Sequence, residues 1–275
     1  MDKAAALYLD LLKQCLTRVI FLDEEVVDVM GWPIGGVLGD PSETWTVLRS
    51  SGMRIVKPLP DREKRLTGHD TPVHAETMIG LRRLESVIEL TARVLESNVP
   101  GDLVETGVWR GGTIAAMRGV LAAYDDPDRV VWACDSFMGL PAPDLERYPA
   151  DARSVVDGAT NAELSVSVEQ VRANISRYGL LDDRVRFVEG WFRDTLPTVP
   201  IERIALLRLD GDLYESTMDG LVNLEPKVSS GGYVIIDDFG SWAPCRAAVL
   251  DYREAHGITA EIHAIDWTGA YWQKA

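Results

Sequence analysis

Two short apolar runs that each stop at aspartates constrain the fold of this chain more than any other feature. The run ALLRL ends at Asp210, and the run YVII ends at Asp237 and Asp238. Runs of this length, rich in Leu, Val and Ile, predict central strands of a parallel sheet. Ligands of open α/β sheets bind just outside the carboxyl ends of such strands. If the two strands are neighbours, three carboxylates converge at one edge of the sheet.

This predicted carboxylate cluster needs a counter-charge. Without one, mutual repulsion and burial would raise the pKa of some members. Mg²⁺ fits best, because it accepts a few carboxylates and keeps positions for water or substrate oxygens. Asp210, Asp237 and Asp238 are therefore the candidate metal ligands. The alternative is that they are strand-end or helix-capping residues, since Asp is common at such positions.

Composition excludes several classes of function. The net charge of −15 over 275 residues argues against a nucleic-acid partner, whose phosphates such a chain would repel. No apolar run approaches the length of a membrane span. The three widely spaced cysteines predict neither a disulfide framework nor a zinc site. The amphipathic start of the chain lacks the pattern of a secretory signal, so we expect a reduced, cytoplasmic protein without a membrane partner.

The order of the predicted elements indicates an α/β fold. Strand and helix patterns alternate, which predicts a doubly wound, mostly parallel sheet closed by a C-terminal antiparallel hairpin. Helical spacing of apolar residues predicts helices over 3–22, 78–95 and 162–179, among others. The predicted strands have the sequences DLVETG, RVVWACDS, RVRFVEG, IALLRLDG and GGYVIIDD, and the hairpin joins AEIHAID to AYWQ.

The segment before this core has a different character. Residues 26–75 are rich in Gly and Pro, which predicts loops and short elements. We therefore divide the chain into an N-terminal helix and lid segment, 1–76, and a core, 77–275. Residues 23–76 are expected to close over a substrate; the alternative is a static appendage or a dimer contact. The charged run DREKRLTG is expected to be solvated surface.

A glycine-rich turn follows the first predicted strand of the core. Its sequence, from Glu105 through Thr106 and Gly107 to Gly111, lets a ligand approach the backbone closely. The spacing is not that of a dinucleotide fingerprint, and Glu105 would repel a pyrophosphate. A carboxylate here suits a cationic ligand, such as the α-ammonium group of S-adenosylmethionine. The alternative is a tight turn with a capping glutamate.

Two further positions suit the rest of such a cofactor. Asp135, at the end of the second core strand, can accept hydrogen bonds from ribose hydroxyls, although it could instead cap a following helix. Trp191 and Phe192 follow the third core strand, where an adenine ring could lie, although they could equally fill the core. The candidate cofactor-binding residues are Met78, Glu105, Thr106, Gly107, Gly111, Asp135, Ser136, Gly190, Trp191 and Phe192.

Several of these motifs together resemble one enzyme family. The stretches are VPGDLVETGVWRGG, CDSFMGLP, YPAD, SRYGLLDDRVRFVEGWFRDTLP, IERIALLRLDGDLYEST and GGYVIIDDFG, extended by PCRAAVLDYREAHGI and IDWTGAYW. They are similar to the macrocin O-methyltransferase family, and the resemblance runs from about Thr77 to Trp272. Residues 23–76 depart from the family pattern, which leaves the identity of the substrate open.

The resemblance implies an activity and roles for residues. Members of the family use S-adenosylmethionine and Mg²⁺ to methylate a hydroxyl of a deoxysugar on macrolides and related antibiotics. It places the metal ligands at Asp210, Asp237 and Asp238, and the catalytic base at Asp210. Asp212 would support those ligands or cap the next helix. We expect a glycosylated small-molecule acceptor and a homodimer or higher homo-oligomer.

Three other functions stay open at this point. A metal-dependent O-methyltransferase of a catechol or another small diol would share every core feature. A non-catalytic protein that binds S-adenosylmethionine would not need the aspartate cluster. A nicotinamide dehydrogenase is disfavoured, because the dinucleotide fingerprint is missing.

Overall fold

A seven-stranded sheet organises the computed structural model. The structure describes residues 2–24, 26–28, 46–48, 50–53, 56–58, 61–154 and 158–275. A separate antiparallel pair lies in the N-terminal segment. The strands are β1 (Val26–Asp28), β2 (Val56–Pro58), β3 (Asp102–Thr106), β4 (Val131–Asp135), β5 (Val185–Glu189), β6 (Ile204–Leu209), β7 (Val228–Ile236), β8 (His263–Ala264) and β9 (Ala270–Gln273).

The strand order in the large sheet is β5-β4-β3-β6-β7-β9-β8. The strands from β5 to β7 pair in parallel, and β9 pairs antiparallel with both β7 and β8. The ladder continues past the strand ends, because Asp210 N–H donates to the carbonyl of Thr106 and Asp237 N–H to that of Leu209, both at 2.9 Å. The predicted fold class and hairpin are confirmed, and β6 and β7 are neighbours.

Helices cover both faces of this sheet. One apolar cluster joins α1, α3 and α4 to one face, and a second joins α8 and α9 to the other. None of the helices that the structure describes is long and apolar enough to cross a membrane. The helices are α1 (Lys3–Leu16), α2 (Arg62–Thr67), α3 (Leu81–Glu96), α4 (Gly112–Ala123), α5 (Gly158–Leu164), α6 (Val168–Arg177), α7 (Phe192–Thr195), α8 (Tyr214–Leu224) and α9 (Ala243–Ala255).

Two predicted helices differ from those in the structure. The helix predicted over 3–22 stops at Leu16, because Arg18 takes the left-handed conformation with φ of 59° and a 3₁₀ turn follows. The helix predicted over 162–179 is broken into α5 and α6. Ser167 caps α6 by accepting a hydrogen bond from the N–H of Gln170 at 3.3 Å. The S-x-x-Q spacing is a helix-start signal inside the stretch that was predicted as one helix.

The charged run of residues 61–68 is not simply solvated surface. It forms α2, and Arg65 within it is only 2 % exposed. The guanidinium of Arg65 donates to the carbonyls of Met78 and Ile79 at 2.7 and 2.8 Å. The surface interpretation is therefore wrong for Arg65, which ties α2 to the residues just before α3.

Much of the predicted lid falls outside the described residues. This applies to 25, 29–45, 49, 54–55 and 59–60. The other part of the N-terminal segment, α1, packs on the core: its residues Leu9, Leu12 and Leu16 are buried in the same apolar cluster as α4. The division of the chain at residues 76 and 77 stays a prediction, as does the lid.

Candidate active site

A cavity opens at the carboxyl edge of the sheet. It holds about 740 Å³ of space, a volume that includes its solvent-filled mouth. The turns after β3, β4, β5 and β6 surround it, together with α8. Its lining residues are Met78, Gly107, Trp109, Asp135, Ser136, Gly139, Leu140, Pro141, Leu164, Trp191, Phe192, Arg193, Asp210, Gly211, Asp212, Glu215, Ser216 and Asp219.

The glycine turn after β3 presses against the end of β6. Gly107 has a φ of 84°, and a Cβ added there would lie 1.7 Å from the carbonyl oxygen of Asp210. Only glycine fits this approach, because any side chain would collide with backbone. The turn therefore brings exposed peptide groups beside Asp210, on the same cavity wall.

Asp135 joins the turns after β3 and β4. Its Oδ2 accepts a hydrogen bond from Val108 N–H at 2.6 Å, and its Oδ1 accepts one from Phe137 N–H at 2.7 Å. Burial raises the pKa of Asp135, and these backbone donors oppose the rise. The chain bends after Asp135 without forming a helix, so the helix-cap alternative is wrong. Each carboxylate oxygen keeps a lone pair that could accept from a ribose hydroxyl.

Glu105 lies behind the cavity. It is 1 % exposed, and its Oε1 accepts from Arg208 Nη1 at 2.5 Å. Burial raises the pKa of Glu105 to about 8, against the opposing charge of Arg208. Its Oε2 is buried and has no hydrogen-bond partner among the described residues. Direct contact between Glu105 and a cofactor ammonium group stays a prediction.

The other candidate cofactor residues divide into two groups. Met78, Gly107, Asp135, Ser136, Trp191 and Phe192 line the cavity. Thr106 is buried at the end of β3, Gly111 opens α4, and Gly190 precedes Trp191 in the turn after β5. The structure thus brings six of the candidates to one cavity, and the contacts of all ten with a cofactor stay predictions.

The three candidate metal ligands converge. Each residue, Asp210, Asp237 and Asp238, offers one carboxylate oxygen, and these three oxygens lie within 4.8 Å of one another. Asp237 and Asp238 are buried, at 4 and 7 % exposure, whereas the side chain of Asp210 is 28 % exposed and lines the cavity. The predicted convergence is confirmed, and metal binding stays a prediction.

Two buried arginines hold this cluster. Arg208 Nη2 lies 2.5 Å from Asp237 Oδ1 and 2.9 Å from Asp210 Oδ2. Arg83, on α3, donates to Asp237 Oδ2 and also pairs with Asp266 at 3.1 Å. Neither arginine was among the predicted site residues, although an arginine inside the apolar run ALLRL already requires a buried partner.

The arginines leave part of the carboxylate charge unmatched. Although burial favours the neutral form, Arg208 and then Arg83 hold the pKa of Asp237 below its ordinary value. Burial, followed by Asp237, raises the pKa of Asp210 to about 6. Burial and the neighbouring aspartates also raise that of Asp238, which has no ion pair in the described part of the chain. The oxygen donors and unmatched charge fit a hard divalent cation.

Asp212 does not cap α8. The N–H groups of Tyr214 and Glu215 donate instead to Asp151, at 2.7 and 3.2 Å. Asp151 comes from the YPAD motif and is fully buried. Asp212 has a φ of 56°, lines the cavity and donates its N–H to Asp238 at 3.3 Å. The helix-cap expectation for Asp212 is therefore wrong.

The carboxyl group of Asp212 has a different electrostatic environment from that of Asp210. Burial, followed by the charge of Asp210, raises the pKa of Asp212 to about 8. Asp212 makes no ion pair with any described residue, whereas Asp210 is paired with Arg208. A carboxylate without a cationic partner can accept a proton more readily.

Known proteins match this chain over most of its length. The family described as Macrocin-O-methyltransferase (TylF) matches residues 5–274. Demethyldecarbamoylnovobiocin O-methyltransferase of Streptomyces niveus is 52 % identical over 212 residues, which cover 77 % of this chain and 80 % of the relative. A tetracenomycin-C 4'-O-methyltransferase of Streptomyces olivaceus is 47 % identical over 99 % of this chain and 94 % of its own.

A solved structure also matches over nearly its full length. The O-methyltransferase NovP superposes with a TM-score of 0.83 at 44 % identity, covering 98 % of this chain and 99 % of NovP.

Proposed function

Because this chain belongs to the macrocin-O-methyltransferase family and is a methyltransferase, we propose that it methylates a hydroxyl of a deoxysugar carried by a natural product. S-adenosylmethionine is the proposed methyl donor and Mg²⁺ the second cofactor. The full name of the Streptomyces olivaceus relative includes a dimethoxy-rhamnosyl group, which supports a sugar as the acceptor. That relative is similar over almost the whole chain.

One observation carries the proposal: Asp210, the member of the aspartate cluster that lines the cavity, stands beside the glycine turn. Gly107 and Asp210 are in backbone contact, so a ligand on the turn would lie next to the cluster. This arrangement suits a reaction between a bound cofactor and a second molecule held at carboxylates. A binding protein that does not catalyse would have no use for the buried, partly unmatched charge.

Residues around the glycine turn would hold the methyl donor. The peptide groups of the turn can receive its amino-acid part, and Asp135 can accept from its ribose hydroxyls. Trp191 and Phe192 line the cavity beyond β5, where an aromatic ring can stack. S-adenosylmethionine supplies the sulfonium methyl group. The role of the chain's own residues is to orient it.

Asp210, Asp237 and Asp238 would hold the cation. Bound Mg²⁺ supplies positive charge that lowers the pKa of a nearby hydroxyl. Arg208 and Arg83 occupy both oxygens of Asp237 from behind, which fixes the orientation of its carboxylate. Each of those oxygens keeps a further lone pair for a ligand.

The proton of the acceptor hydroxyl needs a base. The resemblance places that role on Asp210, but Asp210 is already paired with Arg208 and is a proposed ligand. Asp212 lines the cavity and has no cationic partner among the described residues. We assign proton acceptance to Asp212, and metal binding to Asp210.

Isotope transfer to a panel of acceptors tests the proposed function. The protein is incubated with Mg²⁺, S-adenosylmethionine labelled in its methyl group, and rhamnosylated antibiotics, their aglycones or catechol. We expect mass spectrometry to find one labelled methyl on a glycoside and none on the matching aglycone. Methylation of catechol without that of any glycoside would instead support the alternative, a methyltransferase of small diols.

A further inference from the structure

One face of α8 brings acidic side chains to the cavity. Glu215 and Asp219 lie one helical turn apart and both line it, next to Ser216. They lie on the part of the cavity wall that α8 forms, shortly after Asp212 in the sequence. This face is separate from the cluster of Asp210, Asp237 and Asp238, and no role has so far been assigned to it.

Glu215 has an unused hydrogen-bond acceptor. Its side chain is only 7 % exposed, and its Oε1 accepts from Arg193 Nη1 at 3.3 Å. Its Oε2 is buried and has no hydrogen-bond partner among the described residues. A buried carboxylate oxygen without a donor is costly. Because Glu215 lines a cavity, a bound molecule can supply the missing donor.

The surrounding charge selects the kind of donor. Asp212, Glu215 and Asp219 outnumber Arg193, the one basic residue among those that line the cavity. Burial and the charge of Glu215 raise the pKa of Asp219 to about 6, while Arg147 and Arg193 oppose the rise. This wall therefore favours neutral or cationic groups that donate hydrogen bonds, and it repels phosphate or carboxylate groups.

We propose that Glu215 and Asp219 form a sugar subsite, in which their carboxylates accept hydrogen bonds from hydroxyl or amino groups that the enzyme does not methylate. The inference rests on the proposed function, since it assumes that the acceptor is a sugar. A sugar carries further hydrogen-bond donors besides the hydroxyl groups that would bind at the aspartate cluster. A catechol has only two hydroxyl groups, so one that occupies the cluster with both leaves nothing for Glu215.

A binding measurement that does not depend on turnover tests the subsite. Saturation-transfer NMR would follow methyl α-L-rhamnoside with the wild-type protein, S-adenosylhomocysteine and Mg²⁺ present. Glu215→Gln and Asp219→Asn are the test variants, and Glu254→Gln, an exposed change on α9, is the matched control. S-adenosylhomocysteine affinity, measured by calorimetry, reports whether each variant is folded.

We expect Glu215→Gln to weaken rhamnoside binding about tenfold or more, as for loss of a charged hydrogen-bond partner. Asp219→Asn should weaken it by less, and Glu254→Gln should not change it. S-adenosylhomocysteine binding should stay within about twofold in all three. Equal rhamnoside binding by wild type and both test variants overturns the subsite, as does a wild type that binds S-adenosylhomocysteine but no rhamnoside. If the wild type binds rhamnoside through Glu215 yet methylates no glycoside, the proposed function fails while the subsite stands.

Discussion

Asp210→Asn is expected to lower kcat by about 10³-fold, because it removes one of three anionic ligands from the proposed cation site. The change keeps the shape of the side chain but removes its charge. S-adenosylmethionine affinity should stay within a few-fold, since the glycine turn meets Asp210 at its backbone, which the change leaves in place, and Asp135 and the aromatic residues belong to other turns of the cavity. Steady-state kinetics and calorimetry measure the two quantities separately.

The matching change at Asp212 separates two roles. Asp212→Asn should also lower kcat steeply but should keep the stabilisation by Mg²⁺ in thermal unfolding, whereas Asp210→Asn should lose both. Asp128→Asn is the control, because Asp128 is exposed and is not among the residues that line the cavity. An Asp210→Asn variant with activity within about tenfold of wild type would remove Asp210 from the mechanism.

Arg208→Met is expected to destabilise the fold by about 3–5 kcal/mol, the usual cost of breaking a buried ion-pair network on one side. Arg208 is 1 % exposed and pairs with Glu105, Asp210 and Asp237. Without it, Glu105 and Asp210 would lose their ion-pair partner, and Asp237 would keep only Arg83. Methionine fills a similar volume, so lost charge rather than lost packing dominates. Urea unfolding measures the free energy of unfolding.

Added Mg²⁺ should recover part of this loss, because a cation bound at the aspartates replaces some of the missing positive charge. Arg82→Met on α3 is the control, since Arg82 is exposed. A stability for Arg208→Met within about 1 kcal/mol of wild type would show that the network adds little to the fold.

The ends of the two strands could be predicted because local sequence marks them, and the convergence of the three aspartates then required only that the strands be parallel neighbours. Asp210, Asp237 and Asp238 end apolar runs, and parallel neighbours place such ends at one edge. The turn at Gly107 could also be predicted, since a glycine-rich sequence after a strand is a local signal for a turn. The approach of Asp210 to that glycine could not be predicted, because it depends on how β3 and β6 pair.

The missing parts are contacts between distant segments. Arg83 and Asp266 are separated by 183 positions, and their pairing follows from where α3 and the C-terminal hairpin pack. Asp151 caps α8 from 63 positions upstream of Tyr214, which left Asp212 as the obvious but mistaken candidate. The break between α5 and α6 is different, because the capping signal at Ser167 was present in the sequence and was outweighed by helical periodicity.

The most direct test of the proposed mechanism is methyl transfer before and after treatment that removes divalent cations. Labelled S-adenosylmethionine and a glycoside acceptor found in the panel are incubated with protein treated with EDTA and dialysed, and Mg²⁺ is then added back. Asp238→Ala, which removes a buried candidate ligand outside the cavity lining, serves as the matched variant. We predict that transfer stops after EDTA, returns with Mg²⁺ in the wild type and does not return in Asp238→Ala. Undiminished transfer by the EDTA-treated wild type would contradict the proposed metal-dependent mechanism.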